Sequence, residues 1–216
     1  MKKLHAFTLI ELLVVISIIA IIAGFAMPAL SRAMERARAT EDSNNLASIG
    51  KGIVMYLNDN DDSMFSSTTS SGTDVWPAVL HSKYVKDWKA FRSPFDKASA
   101  DRPKTETEPV PISYGLNEKV LGTFVGKWKA ASSGVVLAAP AIDTSKKGAV
   151  AFDKNAMSDK NVKITMPTGT DLGTHQSRRA INVLFADSHV TQFEWSKYIR
   201  NATTEEKQRW DPMYEP

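Results

Sequence analysis

The sequence predicts an α+β protein: a long N-terminal helix whose first half spans a membrane and whose second half packs on a small antiparallel β-sheet head. Three observations carry this expectation. The stretch Phe7 to Met27 is apolar and holds a single formal charge, Glu11. An amphipathic stripe follows, with Leu46, Ile49, Ile53 and Leu57 recurring at steps of three and four. The β-rich runs come only after this helix, which is the order of an α+β fold rather than of alternating βαβ units.

The first element is the apolar run. As a helix it is about 31 Å long, which matches a bilayer core of roughly 30 Å. A carboxylate inside such a span costs about 2.5–3.5 kcal/mol on insertion scales, so Glu11 calls for a cationic partner. A cut between Ala6 and Phe7 would supply one, because the new α-amine of Phe7 is cationic near neutral pH and lies one helical turn from Glu11. The amine can be met by Glu11 of the same subunit or of a neighbour. Lys2 and Lys3 precede the span with no comparable cluster immediately after it, which places the N-terminus in the cytoplasm and the head outside that membrane. Three plainer readings compete. An ordinary signal anchor leaves Glu11 unexplained. A signal peptide cut near Gly24-Phe25-Ala26 requires an apolar core longer than the usual 7–15 residues. The third is a buried helix of a soluble protein.

The helix continues past Pro28 to about Leu57. Pro28 removes a backbone donor and clashes with the preceding turn, and Gly24 adds local freedom, so the two mark a bend. Arg32, Glu35, Arg36, Arg38, Glu41 and Asp42 follow, with Glu35–Arg38 and Arg38–Asp42 spaced to meet on the helix surface. That surface is either solvated or a contact between subunits. Asn58 to Asp62 ends the helix. Its row of polar oxygens invites calcium, but the EF-hand pattern fails: counting from Asp59, the sixth position is Met64 rather than Gly and the twelfth is Ser70 rather than Glu. A helix end and turn account for the same residues, and no cofactor is expected.

The head, 58–216, is expected to begin with a polar loop, Ser66 to Thr73. Trp76 to Leu80 and Tyr84-Val85 suggest a short helix or turn giving aromatics to the core, with Trp76 and Trp88 packing there or at its rim. Asp101 to Pro111 is charged and proline-rich, hence extended and exposed. Val135 to Ala139 and Ala149 to Phe152 are strand candidates. Ile181 to Ala186 and His189 to Phe193, joined through Asp187-Ser188, read as a hairpin over about 181–193. Thr203 to Pro216 forms a tail that docks on the head or on a neighbour.

Charge and composition exclude little but exclude it clearly. The 216 residues carry a formal charge of +3, which falls to +1 once Lys2 and Lys3 leave with a leader 1–6, so bulk charge gives no support to a nucleic-acid role. There is no cysteine, hence no disulfide and no thiol chemistry.

Ala6-Phe7-Thr8-Leu9-Ile10-Glu11-Leu12-Leu13-Val14-Val15-Ile16 closely resembles the type IV prepilin and pseudopilin signature. In that family a membrane prepilin peptidase removes a basic leader, the new N-terminal Phe is methylated, and the Glu five residues into the mature chain guides docking. The resemblance implies cleavage between Ala6 and Phe7, N-methylation of Phe7 and an assembly role for Glu11; Pro28 matches a helix-bending proline common in the family. Ala6 stands where Gly is usual. Further along, Ser93-Pro94-Phe95-Asp96, Ser113-Tyr114-Gly115-Leu116-Asn117 and Asn182 to Val190 resemble motifs of a pseudopilin-like family abundant in planctomycetes and verrucomicrobia. That family usually carries Cys-Pro-x-Asp, Ser-Tyr-Gly-x-Asn, and a His followed by nine residues and Asp-Gly. Here Ser93 replaces the Cys, Ser188 replaces the turn Gly, and His175 lies two residues too far upstream, so a different hairpin turn is expected. Tyr114 and Asn117 read as a turn.

His175, Ser177, Asp187 and His189 contain the ingredients of a nucleophilic triad or of a three-ligand metal site. The spacing argues for structural roles, since Ser177 lacks a Gly-x-Ser-x-Gly elbow and Asp187 is explained by the hairpin turn. The expected organisation is a leader 1–6, a membrane and filament-core helix 7–27, its amphipathic continuation 28–57, and an extracytoplasmic head. The expected function is that of a non-enzymatic structural subunit of a type II secretion or type IV pilus-like filament. Its partners would be copies of itself or related pseudopilins, the prepilin peptidase, an inner-membrane assembly platform and the membrane. The alternatives are a membrane-anchored module binding, for example, polysaccharide, and an anchored hydrolase using the His175–His189 region.

Overall fold

The structure, a computed structural model, describes residues 9–66, 76–96, 112–141, 163–164, 173–176 and 178–215. Its first element is a single helix, α1 (Leu9–Asp59), of 51 residues. The chain divides into two compact units, Met1–Ala37 and Arg38–Pro216. The described part of the first is α1 alone, and every residue from 9 to 34 is exposed.

In the second unit α1 turns one face into a core. Asp42, Leu46, Ile49, Gly50, Gly52 and Ile53 are buried, a stripe at helical spacing, while Leu57 is half-buried against it. Two glycines let other elements approach the helix closely. A Cβ on Gly50 would lie 2.8 Å from Leu184 Cδ1, and one on Gly52 would lie 2.5 Å from Val85 Cγ2. The helix ends in a turn where Asp61 (φ 49°) and Asp62 (φ 56°) take left-handed conformations, to which short polar side chains are suited. A short helix, α2 (Trp76–Lys83), and a 3-10 turn, Trp88–Phe91, bring fully buried Trp76 and Phe91 into the core. Trp88 packs at its edge.

Among the described residues the sheet has five strands: β1 (Tyr114–Asn117), β2 (Val136–Pro140), β3 (Lys163–Ile164), β4 (Ala180–Phe185) and β5 (Val190–Glu194). Their spatial order is β3-β1-β2-β4-β5. β1, β2, β4 and β5 form the antiparallel sheet expected, and β3 adds a short parallel edge to β1. Asn182 and Leu184 of β4 meet α1. Alternation turns Ile181, Val183 and Phe185 to the opposite face. There Phe193, the cross-strand partner of Ile181, lies 5.2 Å from the Arg209 guanidinium of a C-terminal helix. Two short helices, α3 (Trp195–Tyr198) and α4 (Thr204–Trp210), close that side. α4 starts with a complete capping box between Thr203 and Glu206. The tail thus docks on its own head: Trp210 is buried beside Tyr198, their ring centroids 5.1 Å apart.

Two readings are corrected here. Tyr114–Asn117 is a strand rather than a turn, and all four of its residues are buried; only the Asn117 side chain acts locally, accepting from Lys119 N–H at 3.1 Å. The β4–β5 turn does not dispense with glycine-like geometry. Ser188 itself adopts φ 72°, the left-handed region. Ser188 N–H donates to Phe185 O, and Phe185 N–H donates to His189 O, both at 2.9 Å. The loop is thus three residues, 186–188, with the third left-handed, rather than the two-residue turn Asp187-Ser188 expected. Asp101–Pro111 and Ala149–Phe152 lie outside the described residues.

Candidate functional site

The first candidate is the exposed half of α1. Leu9, Ile22 and Phe25 are 79%, 61% and 80% exposed, where an aqueous protein would bury them. Among the described residues α1 is the one helix long and apolar enough to cross a membrane. Glu11 lies in its first turn and Pro28 within it. Proline has no N–H to donate, so the carbonyl of Gly24, four residues back, loses its usual helical donor at this point. Ala6 and Phe7, the expected cleavage and methylation positions, lie outside the described residues.

The second is a buried polar cluster around Asp42. The carboxylate is fully buried. Its Oδ1 accepts from Ser93 Oγ at 2.5 Å and from the Tyr114 hydroxyl at 2.8 Å. Its Oδ2 accepts from Asn182 Nδ2 at 3.0 Å, and the same amide donates to Ala39 O at 2.8 Å. Nearby, Ser113 Oγ donates to Asp96 Oδ2 at 2.8 Å, and Asn45 Nδ2 to Arg92 O at 2.9 Å. Burial pushes the Asp42 pKa above its ordinary value, against the opposing effect of the bonds from Ser93, Tyr114 and Asn182. Desolvation, reinforced by the Asp42 charge, raises the Tyr114 phenol well above its own. Asp42 is therefore not part of a surface ion-pair face with Arg38, as the spacing suggested. It is the point where Ser93, Tyr114 and Asn182, one from each of three separate sequence motifs, are tied to α1. Sequence reasoning missed it because an aspartate in a charged stretch reads as solvated. The signal available was its place four residues before Leu46, on the buried stripe.

The histidines do not gather. His175, 2% exposed, pairs with Ala180 at one end of β4 and stacks on Phe95 at 5.5 Å between centroids. His189 pairs with Phe185 at the other end and lies flat on its ring at 4.5 Å. These ends, Ala180 and Phe185, are the first and last residues of β4, roughly 17 Å apart at 3.3–3.4 Å per step. Asp187 accepts from both the backbone and the ring of His189. Desolvation alone would raise the Asp187 pKa, but these bonds hold it below its ordinary value. Ser177 lies outside the described residues. No group of three or more His, Cys, Asp or Glu able to hold a metal occurs among the described residues.

Residues 1–27 match the prokaryotic N-terminal methylation motif. The match supports a type IV pilin- or pseudopilin-like protein, processed by prepilin peptidase and assembling with pilin-like subunits. Such a signature points to a structural, pilin-like role. With the exposed apolar helix it points to a single-pass membrane anchor. No curated protein and no solved structure matches the chain.

Proposed function

We propose that this chain is a structural subunit of a type II secretion or type IV pilus-like filament. The observation that carries the reading is the methylation motif lying on a helix whose apolar side chains are exposed on all sides. In this account the subunit waits in the inner membrane with its N-terminus cytoplasmic and its head outside. Cleavage between Ala6 and Phe7 frees the α-amine, Phe7 is N-methylated, and Glu11 pairs with a positive N-terminus as subunits stack. Gly24 and Pro28 let the helix bend on leaving the bilayer for the filament. Such head-to-tail contacts are heterologous and do not close, so they build a fibre. Kinship with the pseudopilin-like proteins of planctomycetes and verrucomicrobia belongs to the same reading, supported by the meeting of Ser93, Tyr114 and Asn182 at Asp42.

The test is the N-terminus of the protein purified from cells with and without the prepilin peptidase, read by mass spectrometry. N-methyl-Phe7 in the first case and an intact Met1 in the second is the expected pair. A cut near Ala26 in both would replace this reading with an ordinary exported protein.

A further inference from the structure

Past Glu11, the residues of α1 from Leu12 to Ser31 carry no formal charge, and all of them are exposed. At 1.5 Å per residue this stretch covers about 30 Å, the thickness of a bilayer's hydrocarbon core. The next two basic residues are Arg32 and Arg36, both exposed and both in the unit Met1–Ala37. With the apolar stretch in the core, Arg32 enters the headgroup layer, which is about 5–7 Å deep on each side. Arg36 follows one turn on. Residues four apart on a helix are surface neighbours, about 5–6 Å between Cβ atoms, so the two guanidinium groups share a face and repel. Glu35 lies three residues from Arg32, yet Arg32 makes no ion pair among the described residues. Leu30 and Met34, 61% and 51% exposed, stand among these charges. Arginines set beside exposed apolar side chains suit the boundary between lipid and water, where the stem stays in the apolar layer and the charged head reaches out of it.

From this we infer that Arg32 and Arg36 together hold the phosphate of one phospholipid headgroup where α1 leaves the bilayer. Depth and charge select that occupant. Phosphate is the anion that either leaflet places at this level, and each guanidinium presents a fork that receives two of its oxygens. The inference rests on the first half of α1 being a membrane anchor, and not on its orientation, its cleavage or its assembly into a filament.

The test is native mass spectrometry of the full chain, released from detergent micelles doped with phosphatidylglycerol or with a diacylglycerol of the same tails, which lacks the phosphate. The wild type is expected to retain one phosphatidylglycerol and no diacylglycerol. Arg32→Gln and Arg36→Gln should each weaken retention about fivefold, and the double variant about 25-fold. Equal retention of the two lipids, or a double variant that holds phosphatidylglycerol as the wild type does, overturns the inference. So does a wild-type dimer that forms without lipid and is lost in the double variant, because the arginines would then meet a carboxylate of a second copy. The same spectra give the mass of the mature chain. A chain that lacks N-methyl-Phe7 but still holds the lipid would sink the filament reading and leave this one standing.

Discussion

The Tyr114 hydroxyl donates to Asp42 Oδ1 at 2.8 Å, joining β1 to α1 across 72 positions of sequence. Ser93 donates to the same oxygen, so two segments of the head compete for and reinforce one acceptor. This carboxylate fixes where α1 lies against the sheet of its own unit. Asp42→Leu leaves the Ser93 and Tyr114 hydroxyls and one Asn182 N–H without their acceptor in a dry site. A loss of about 2–4 kcal/mol is expected, read as a fall in the urea midpoint of head unfolding. Asp42→Asn is milder, because its amide can donate to the two hydroxyls while accepting from Asn182. A leucine variant as stable as the wild type would show that the cluster adds nothing to the fold.

Because Ser93 and Tyr114 share Oδ1, their contributions should not add. Ser93→Ala and Tyr114→Phe each remove one bond to a carboxylate, for about 1–2 kcal/mol apiece. In a double-mutant cycle the pair should show a coupling of about 0.5 kcal/mol or more. Strict additivity would mean that the two bonds act independently of the shared oxygen.

The same site sets a pH dependence with a definite sign. Burial is the largest influence on Asp42 and raises its folded pKa above the ordinary value of 3.8. A raised folded pKa means that the folded state binds the proton more tightly than the unfolded chain does. The stabilising contribution is therefore complete below the unfolded pKa and is lost as pH rises through the folded one. Wild-type stability minus that of Asp42→Asn, which does not titrate there, should fall as pH rises from about 4 and then become flat. A difference that rises over this window would show that the three hydrogen bonds outweigh burial.

Periodicity and residue type made much of this fold legible, and their failures are physical. Leu46, Ile49 and Ile53 announced the buried face of α1 by spacing, and Val136 and Val183 announced central strands by β-branching. β1 escaped because Gly115 and Asn117 are turn residues by type. There Tyr114 is fixed by Asp42, and Asn117 Nδ2 donates to Val136 O and Trp210 O, each at 2.9 Å. β3 escaped because a two-residue pairing leaves no periodic trace. Of the candidate sites, the apolar helix was readable from composition alone. The convergence on Asp42 was not, since its partners lie 51, 72 and 140 positions away.

Ser188 carries a backbone conformation that an L side chain adopts at a cost. Ser188→Gly relieves the left-handed strain and returns part of the gain as extra freedom of the unfolded chain. Its Oγ gives up only a 3.5 Å contact with Gly50 O. A net stabilisation of about 0.5–1 kcal/mol is expected, with unchanged far-UV dichroism. A less stable Ser188→Gly would mean that the contact with α1 matters more than the φ angle.

Glu11 lies in the unit Met1–Ala37, outside the buried core, whose helical members begin at Leu46. Replacing it should therefore separate assembly from folding. Glu11→Ala is expected to leave the urea unfolding of the head within about 0.5 kcal/mol of the wild type, as for substitutions remote from any core. Incorporation into filaments should fall, because the positive α-amine of a processed neighbour would then sit in an apolar core without its counter-charge. Glu11→Gln keeps the shape and removes the charge, and should fail similarly if charge is what docking reads. Sheared-filament yield against total processed subunit measures this directly. Normal yield from both variants would remove charge pairing from the account while leaving processing untouched. A loss accompanied by uncleaved Met1 would instead place Glu11 in recognition by the peptidase.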